Sequence, residues 1–166
     1  PIRPKTEAGE LPQRANWMAP IIVSPHDPNT LYAGFQYVYR STNKGDTWEK
    51  ISSDLTDNNP RQMGINPSAI PYQSMTQVVE SPITKGLIYA GSDDGNLNVT
   101  QDGGKTWTNI GKNLPMAMKV WHVLGGNMPS VEVSDIQVHP RDGVIVIATY
   151  GRGMYVVDAA KVRTVK

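Results

Sequence analysis

Two segments of this chain, residues 41–48 (STNKGDTW) and 100–107 (TQDGGKTW), share one frame of hydroxyl, any, Asn or Asp, any, Gly, any, Thr, Trp. Ser41, Asn43, Gly45, Thr47 and Trp48 answer to Thr100, Asp102, Gly104, Thr106 and Trp107. The frame belongs to a longer unit. APIIVSP (19–25) answers to TQVVESP (76–82) and SDIQVHP (134–140). LYAGF (31–35) answers to IYAGS (88–92) and VIATY (146–150), and YVYRS (37–41) to NLNVT (96–100) and GMYVV (153–157). Pro25, Pro82 and Pro140 mark the period. A repeat of this length must be folded as one structural unit copied three times, which removes most folds from consideration.

Each unit reads as short β-branched runs broken by turn chemistry. The first run ends at proline, which cannot donate to a strand ladder. SDDGN (92–96) carries a hairpin signal between the second and third runs. The shared frame then joins the third run to a fourth. Its glycine can take φ > 0, its Asn or Asp can accept backbone N–H groups as in Asx turns, and its tryptophan can pack between neighbouring units. Four antiparallel strands per unit, repeated, make an all-β fold: a β-propeller segment of about three four-stranded blades. The expected layout is an extended arm or linker over 1–15, then propeller over 16–166, with blades at about 16–56, 74–114 and 130–166. The third unit has no box. Residues 115–121 are the place where a short helix or a loop competes with strand. Three blades do not close a ring, so the expected partners are further blades, from sister chains or from the rest of a longer chain.

With those residues in view, the chain resembles the Asp-box (BNR repeat) propellers of the sialidase type. VSPHDPNTLYAG, VYRSTNKGDTWEKISSDLT and HPRDGVIVIATYGRGMYVVD look most like the sortilin-type bacterial group, and xyloglucanase-type glycoside hydrolases are similar at the box. The resemblance covers about 16–158. It implies exported proteins, extracellular, periplasmic or on the cell surface, with the boxes on the rim and the ligand face elsewhere. Asn43 stands where the family more often has Asp.

Composition narrows the function. A net charge of +1 without a basic run gives no nucleic-acid footprint. No apolar run is long enough for a membrane span, and no leader segment is read. The absence of cysteine excludes disulfides and thiol chemistry. No cofactor is expected. His26, His122 and His139 do not converge by spacing, so no metal site is expected either.

The loop between strands two and three of a blade opens on the ligand face. It supplies the candidates Phe35, Gln36, Tyr37, Asp93, Asp94, Tyr150 and Arg152, an aromatic and carboxylate set suited to a sugar. The bland reading of Asp93 and Asp94 is a polar hairpin turn. Glycosidase chemistry needs two carboxyl groups facing across one sugar. Glu80, Glu132 and Asp135 are the further acids near blade openings, and no catalytic residue is assigned. The leading expectation is a non-enzymatic scaffold that binds protein or glycan. The alternatives are part of a glycoside hydrolase completed by other blades, and a structural subunit. Asn98 opens an N-V-T sequon inside a strand, the insertion 54–74 is long enough to serve a partner, and Met116, Met118 and Trp121 are candidates for an inter-blade contact.

Overall fold

The computed structural model describes residues 2–6, 8–10, 12–63, 72–110, 117–118, 132–151 and 153–162. The first sheet runs β1 (Ile21–Ser24), β2 (Asp27–Gly34), β3 (Val38–Ser41), β4 (Glu49–Lys50) in spatial order. The second runs β5 (Met75–Glu80), β6 (Ile88–Ser92), β7 (Leu97–Thr100), β8 (Thr108–Asn109). In the third, β10 (Val133–Val138), β11 (Val144–Thr149) and β12 (Gly153–Asp158) are bordered by β9 (Ala117–Met118). All pairings are antiparallel. A single helical turn, α1 (Ala159–Val162), follows β12. The first strands of successive sheets lie side by side, β1 against β5 and β5 against β10. The chain is therefore three blades of a β-propeller.

Two features depart from the sequence reading. The segment 115–121, where a short helix or a loop competes with strand in the sequence, contains β9, which pairs with β12 through Met118↔Tyr155 and Ala117↔Val156. The boxless third repeat thus takes its fourth strand from upstream. The register of the third repeat also differs by one residue. Val78 pairs with Ala90 in blade 2, whereas Ile136 pairs with Ile147 in blade 3. Ile147, not Ala148, is the counterpart of Ala90. The run VIVIAT is apolar at nearly every position and lacks the glycine that anchors LYAG and IYAG, so its pattern alone does not fix the register.

Each blade has a rear face toward the preceding blade and a front face toward the next. Between blades 1 and 2, Tyr32, Val38, Ile51 and Leu55 bury against Met75, Val78, Ile88 and Ala90. Between blades 2 and 3, Leu87, Tyr89, Leu97, Val99 and Ile110 bury against Val133, Ile136, Ile145, Ile147, Tyr155 and Val157. Each large side chain fully removed from water contributes about 1.5–3 kcal/mol, so these seams hold the fold. Gly34 and Gly91 let the inner strands approach. A Cβ on Gly34 would fall 2.8 Å from Met75 and Val78, and one on Gly91 2.5 Å from Val133.

Polar stitches reinforce the first seam. Glu80, 3% exposed, accepts from Ser24 Oγ, Tyr32 Oη and Gly86 N. Burial, then the Glu80 charge, pushes the Tyr32 phenol up to about 12. Glu80 ends β5 opposite Ile88, while the loop toward the ligand face begins beyond Ser92 at the other end of the sheet. It is a seam residue, not an acid at a blade opening.

The two boxes fold alike. Ser41 Oγ accepts from Gly45 N at 2.8 Å, and Asn43 Oδ1 accepts from Thr47 N at 2.9 Å. Thr100 Oγ1 accepts from Gly104 N at 2.9 Å, and Asp102 Oδ1 accepts from Thr106 N at 2.9 Å. Trp107 packs into the first seam and donates Nε1 to Ile51 O at 2.8 Å. The 1–15 arm does not trail away. Its described residues lie on the rear of blade 1, where Ala15 joins Ala33, Phe35 and Tyr39, Gln13 Nε2 donates to Tyr39 Oη, and Lys50 pairs with Glu10.

Candidate binding face

One end of blades 1 and 2 brings the β2–β3 and β6–β7 connections together with Arg14, 54–59 and 73–74. Arg14 organises the blade 1 side of it. Its guanidinium donates to Asp54 Oδ2 at 2.7 Å, to Thr56 Oγ1 at 3.0 Å and to Gln73 O at 3.0 Å, and its backbone N–H donates to Gln36 Oε1 at 2.8 Å. Five donors on one planar group suit this fan of acceptors. Nothing in the composition of the arm singles Arg14 out, because its partners come from segments remote in sequence.

The expected candidates separate in space. Phe35 is buried, edge-on to Tyr39 at 5.8 Å between ring centres, with the Arg3 guanidinium 5.4 Å from its own ring centre. Gln36 is fully buried beneath Arg14. Tyr37 carries Lys50 Nζ at 4.8 Å over its ring. These three side chains are occupied by the arm and the blade rather than offered to a ligand, because a tertiary contact that the local pattern does not encode covers the loop.

Asp93 and Asp94 point apart. Asp93 accepts from the backbone N–H and hydroxyl of Ser74. Asp94, buried, accepts from Ser92 Oγ, Asp57 N and Asn96 Nδ2. Burial raises the Asp93 carboxyl above its ordinary value and the Asp94 charge adds to this, against the Ser74 N–H. Tyr72, 38% exposed, is raised by burial first and then by Asp93, Asp94, Asp57 and Glu132. It is a surface tyrosine facing an acidic field, and its place at the end of a proline-rich insertion gives no sequence signal of that.

A groove of about 460 Å³ runs along the first strands of all three blades. Met18, Ile21, Thr76, Gln77, Glu132 and Tyr150 line it. Tyr150 is 77% exposed, and its N–H donates to Glu132 O at 3.0 Å, which holds the ring beside that residue. Thr76 and Gln77 spend side-chain donors on Val133 O and Ser134 O. Of the expected set, Tyr150 is thus the exposed side chain at this groove. Arg152, Met116, Trp121 and His122 lie outside the described residues, and of Met118 only the backbone is described.

The remaining polar residues have local duties. Asp135 accepts from Ile136 N and Gln137 Nε2, at an irregularity in the β10–β11 register. Arg40 bridges to Glu49 and to Gly103 O of blade 2, and Arg141 pairs with Asp142. His26 Nε2 lies 2.7 Å from Ser81 O, and His139 Nδ1 accepts from Asp142 N. The Asn98 amide is buried and donates to Leu55 O, so the sequon side chain is taken up in the seam. Among the described residues no group of three or more His, Cys, Asp or Glu converges on a metal position, and no helix is long and apolar enough to cross a membrane.

No family model matches the sequence, and no curated protein does. Solved structures do match in fold. An ancestral GH74 enzyme aligns over 86% of this chain and 14% of its own, at 15% identity and a TM-score of 0.57. The GH74 enzyme of Niastella koreensis aligns over 88% of this chain and 21% of its own, at 17% identity and a TM-score of 0.55. The GH74 xyloglucanase of Xanthomonas campestris aligns over 90% of this chain and 22% of its own, at 19% identity and a TM-score of 0.56. The chain therefore has the propeller architecture of these enzymes and spans between a seventh and a quarter of their length.

Proposed function

We infer that this chain is a glycan-binding part of a larger propeller, exported or at the cell surface, whose ring is completed by further blades. The observation that carries the reading is Tyr150, largely exposed at the mouth of the axial groove beside Glu132. An aromatic face next to a carboxylate suits a sugar, which offers C–H groups to the ring and hydroxyls to the oxygens. Tyr72 and the half-buried Asp93 extend the same chemistry. The turns at 41–48 and 100–107 fit Asp-boxes of the sortilin-type group, and the domain limits of 16–166 for the blades and 1–15 for the arm follow from the same reading.

A second reading is part of a glycoside hydrolase whose carboxylate pair is completed by other blades. The GH74 neighbours favour it. The local chemistry favours binding, because Asp93 and Asp94 are engaged in turn hydrogen bonds and do not face one another across the groove. Affinity electrophoresis in xyloglucan, with a reducing-sugar assay on the same samples, separates the readings. Binding is expected to retard the chain, and Tyr150→Ala to weaken it about tenfold, which is 1.4 kcal/mol. Retardation that Tyr150→Ala leaves unchanged removes the groove from the account. Release of reducing ends moves the chain to the second reading.

A further inference from the structure

Blade 1 keeps the residues of a seam on its rear although no blade lies there among the described residues. Met18 and Ile21 stand where Met75 and Val78 stand in blade 2. Met75 and Val78 are fully buried by blade 1, whereas Met18 is 83% and Ile21 49% exposed. Val23, in the place of the buried Glu80, is 57% exposed. Trp48 repeats the position of Trp107. The indole of Trp107 donates to a carbonyl of the preceding blade, while Trp48 Nε1 is buried with no partner among the described residues. A buried donor left unpaired costs free energy, so the arm that covers Trp48 reproduces the packing of a preceding blade without its acceptor.

The arm fills only the outer part of that face. Ile2 lies against Gly45, where a Cβ would fall 3.0 Å from it, as Ile51 of blade 1 lies against Gly104 of blade 2. Ile2 thus takes the place of the residue that follows the fourth strand of a preceding blade. The inner part, Met18, Ile21 and Val23, stays open.

Blade 3 carries the complementary half. By register, Val144, Val146, Met154 and Val156 answer to Leu87, Tyr89, Leu97 and Val99, which are at most 2% exposed against blade 3. Met154 is 48% exposed, the three valines are half-buried, and none of the four joins a buried cluster.

We propose that the front of blade 3 docks on the rear of blade 1 of a second copy of this chain, head to tail. The seam is the one the chain already makes twice within itself. The arm supplies the outer plug, and Met18 and Ile21 meet Met154 and Val156. Two copies contribute six blades, within the range in which propellers close, so the contact ends in a ring rather than a fibre. Ala148 tunes the fit: Gly34 and Gly91 occupy its position in blades 1 and 2, and its Cβ meets the incoming inner strand. Met18 and Ile21 border both the groove and this seam, whereas Val156 does not line the groove, so Val156→Lys reads the seam apart from what the groove binds.

Light scattering across a dilution series tests this. The chain is expected at twice its mass, with a concentration-dependent fall to one. Ile21→Lys on the rear and Val156→Lys on the front each weaken association about a hundredfold. An equimolar mixture of the two restores a dimer through its one intact seam, which a symmetric contact between like faces does not. Ala148→Gly tightens association about tenfold by removing the crowded methyl. Met18→Asp covers the case in which a lysine variant unfolds, since Met18 is already exposed in the single chain and the dimer alone should suffer. A folded chain that stays at single mass up to about 100 μM, above the weak micromolar range of such contacts, overturns the proposal and assigns the face to a blade of a longer polypeptide. Dimers indifferent to the three substitutions that introduce a charge overturn it as well.

Discussion

Asn43 and Asp102 close the same turn with different charge. Each accepts from the N–H four residues on, and each engages the hydroxyl of the following threonine. The Thr106 hydroxyl, then its N–H and the Thr100 hydroxyl hold the Asp102 carboxyl far below the usual carboxylate range. The folded state therefore releases this proton more readily than the unfolded one. The stability this confers is complete above the ordinary carboxylate pKa and is lost as pH falls toward the depressed value. Asp102→Asn keeps the acceptor and is expected to fold normally, with a Tm that declines less between about pH 4 and pH 2 than that of the parent. An unchanged acid limb in calorimetry would remove Asp102 from the account. Asp93 has the opposite sign. Its raised carboxyl favours the folded state while protonated, and that contribution fades as pH rises through the folded value.

Between elements, the seams decide stability. Gly104 has φ +101°, and a Cβ there would sit 2.7 Å from Ile51 Cβ and 2.8 Å from Ile51 O. Gly143 has φ +61° and open space around it. Gly104→Ala is expected to cost about 2–4 kcal/mol in urea unfolding, and Gly143→Ala about 1 kcal/mol, the difference being the seam. The two tryptophans give a matched pair. Trp107→Phe and Trp48→Phe remove the same ring area, but only the first breaks a hydrogen bond to Ile51 O. Trp107→Phe should therefore cost about 1–2 kcal/mol more in dilute solution. Equal losses would mean that the indole bond contributes nothing to the seam.

For the whole molecule, the blades were legible because turn chemistry at SDDGN and in both boxes is local, and because alternation in LYAG and IYAG marks two faces. Three things were not legible. The slip at Val144–Thr149 arises in a run with no glycine and no polar residue before its final threonine. The burial of Phe35 and Gln36 depends on an arm whose few apolar residues show no period. The exposed pairing of Tyr150 with Glu132 needs β10 and the β11–β12 turn side by side. Local rules write the blades, while the face they form is written by contacts between distant segments.

The placement of β9 bears on the order in which the molecule assembles. Tyr39↔Lys50 closes the outer edge of blade 1 across 11 residues, whereas Met118↔Tyr155 closes blade 3 across 37. The longer loop costs more chain entropy before any hydrogen bond rewards it. The first two blades can zip from neighbours in sequence, but the third must wait for its border to be threaded back from upstream. In hydrogen exchange the amides shared by β9 and β12 should open first and close last, which gives this protein a direction of folding as well as a direction of stacking.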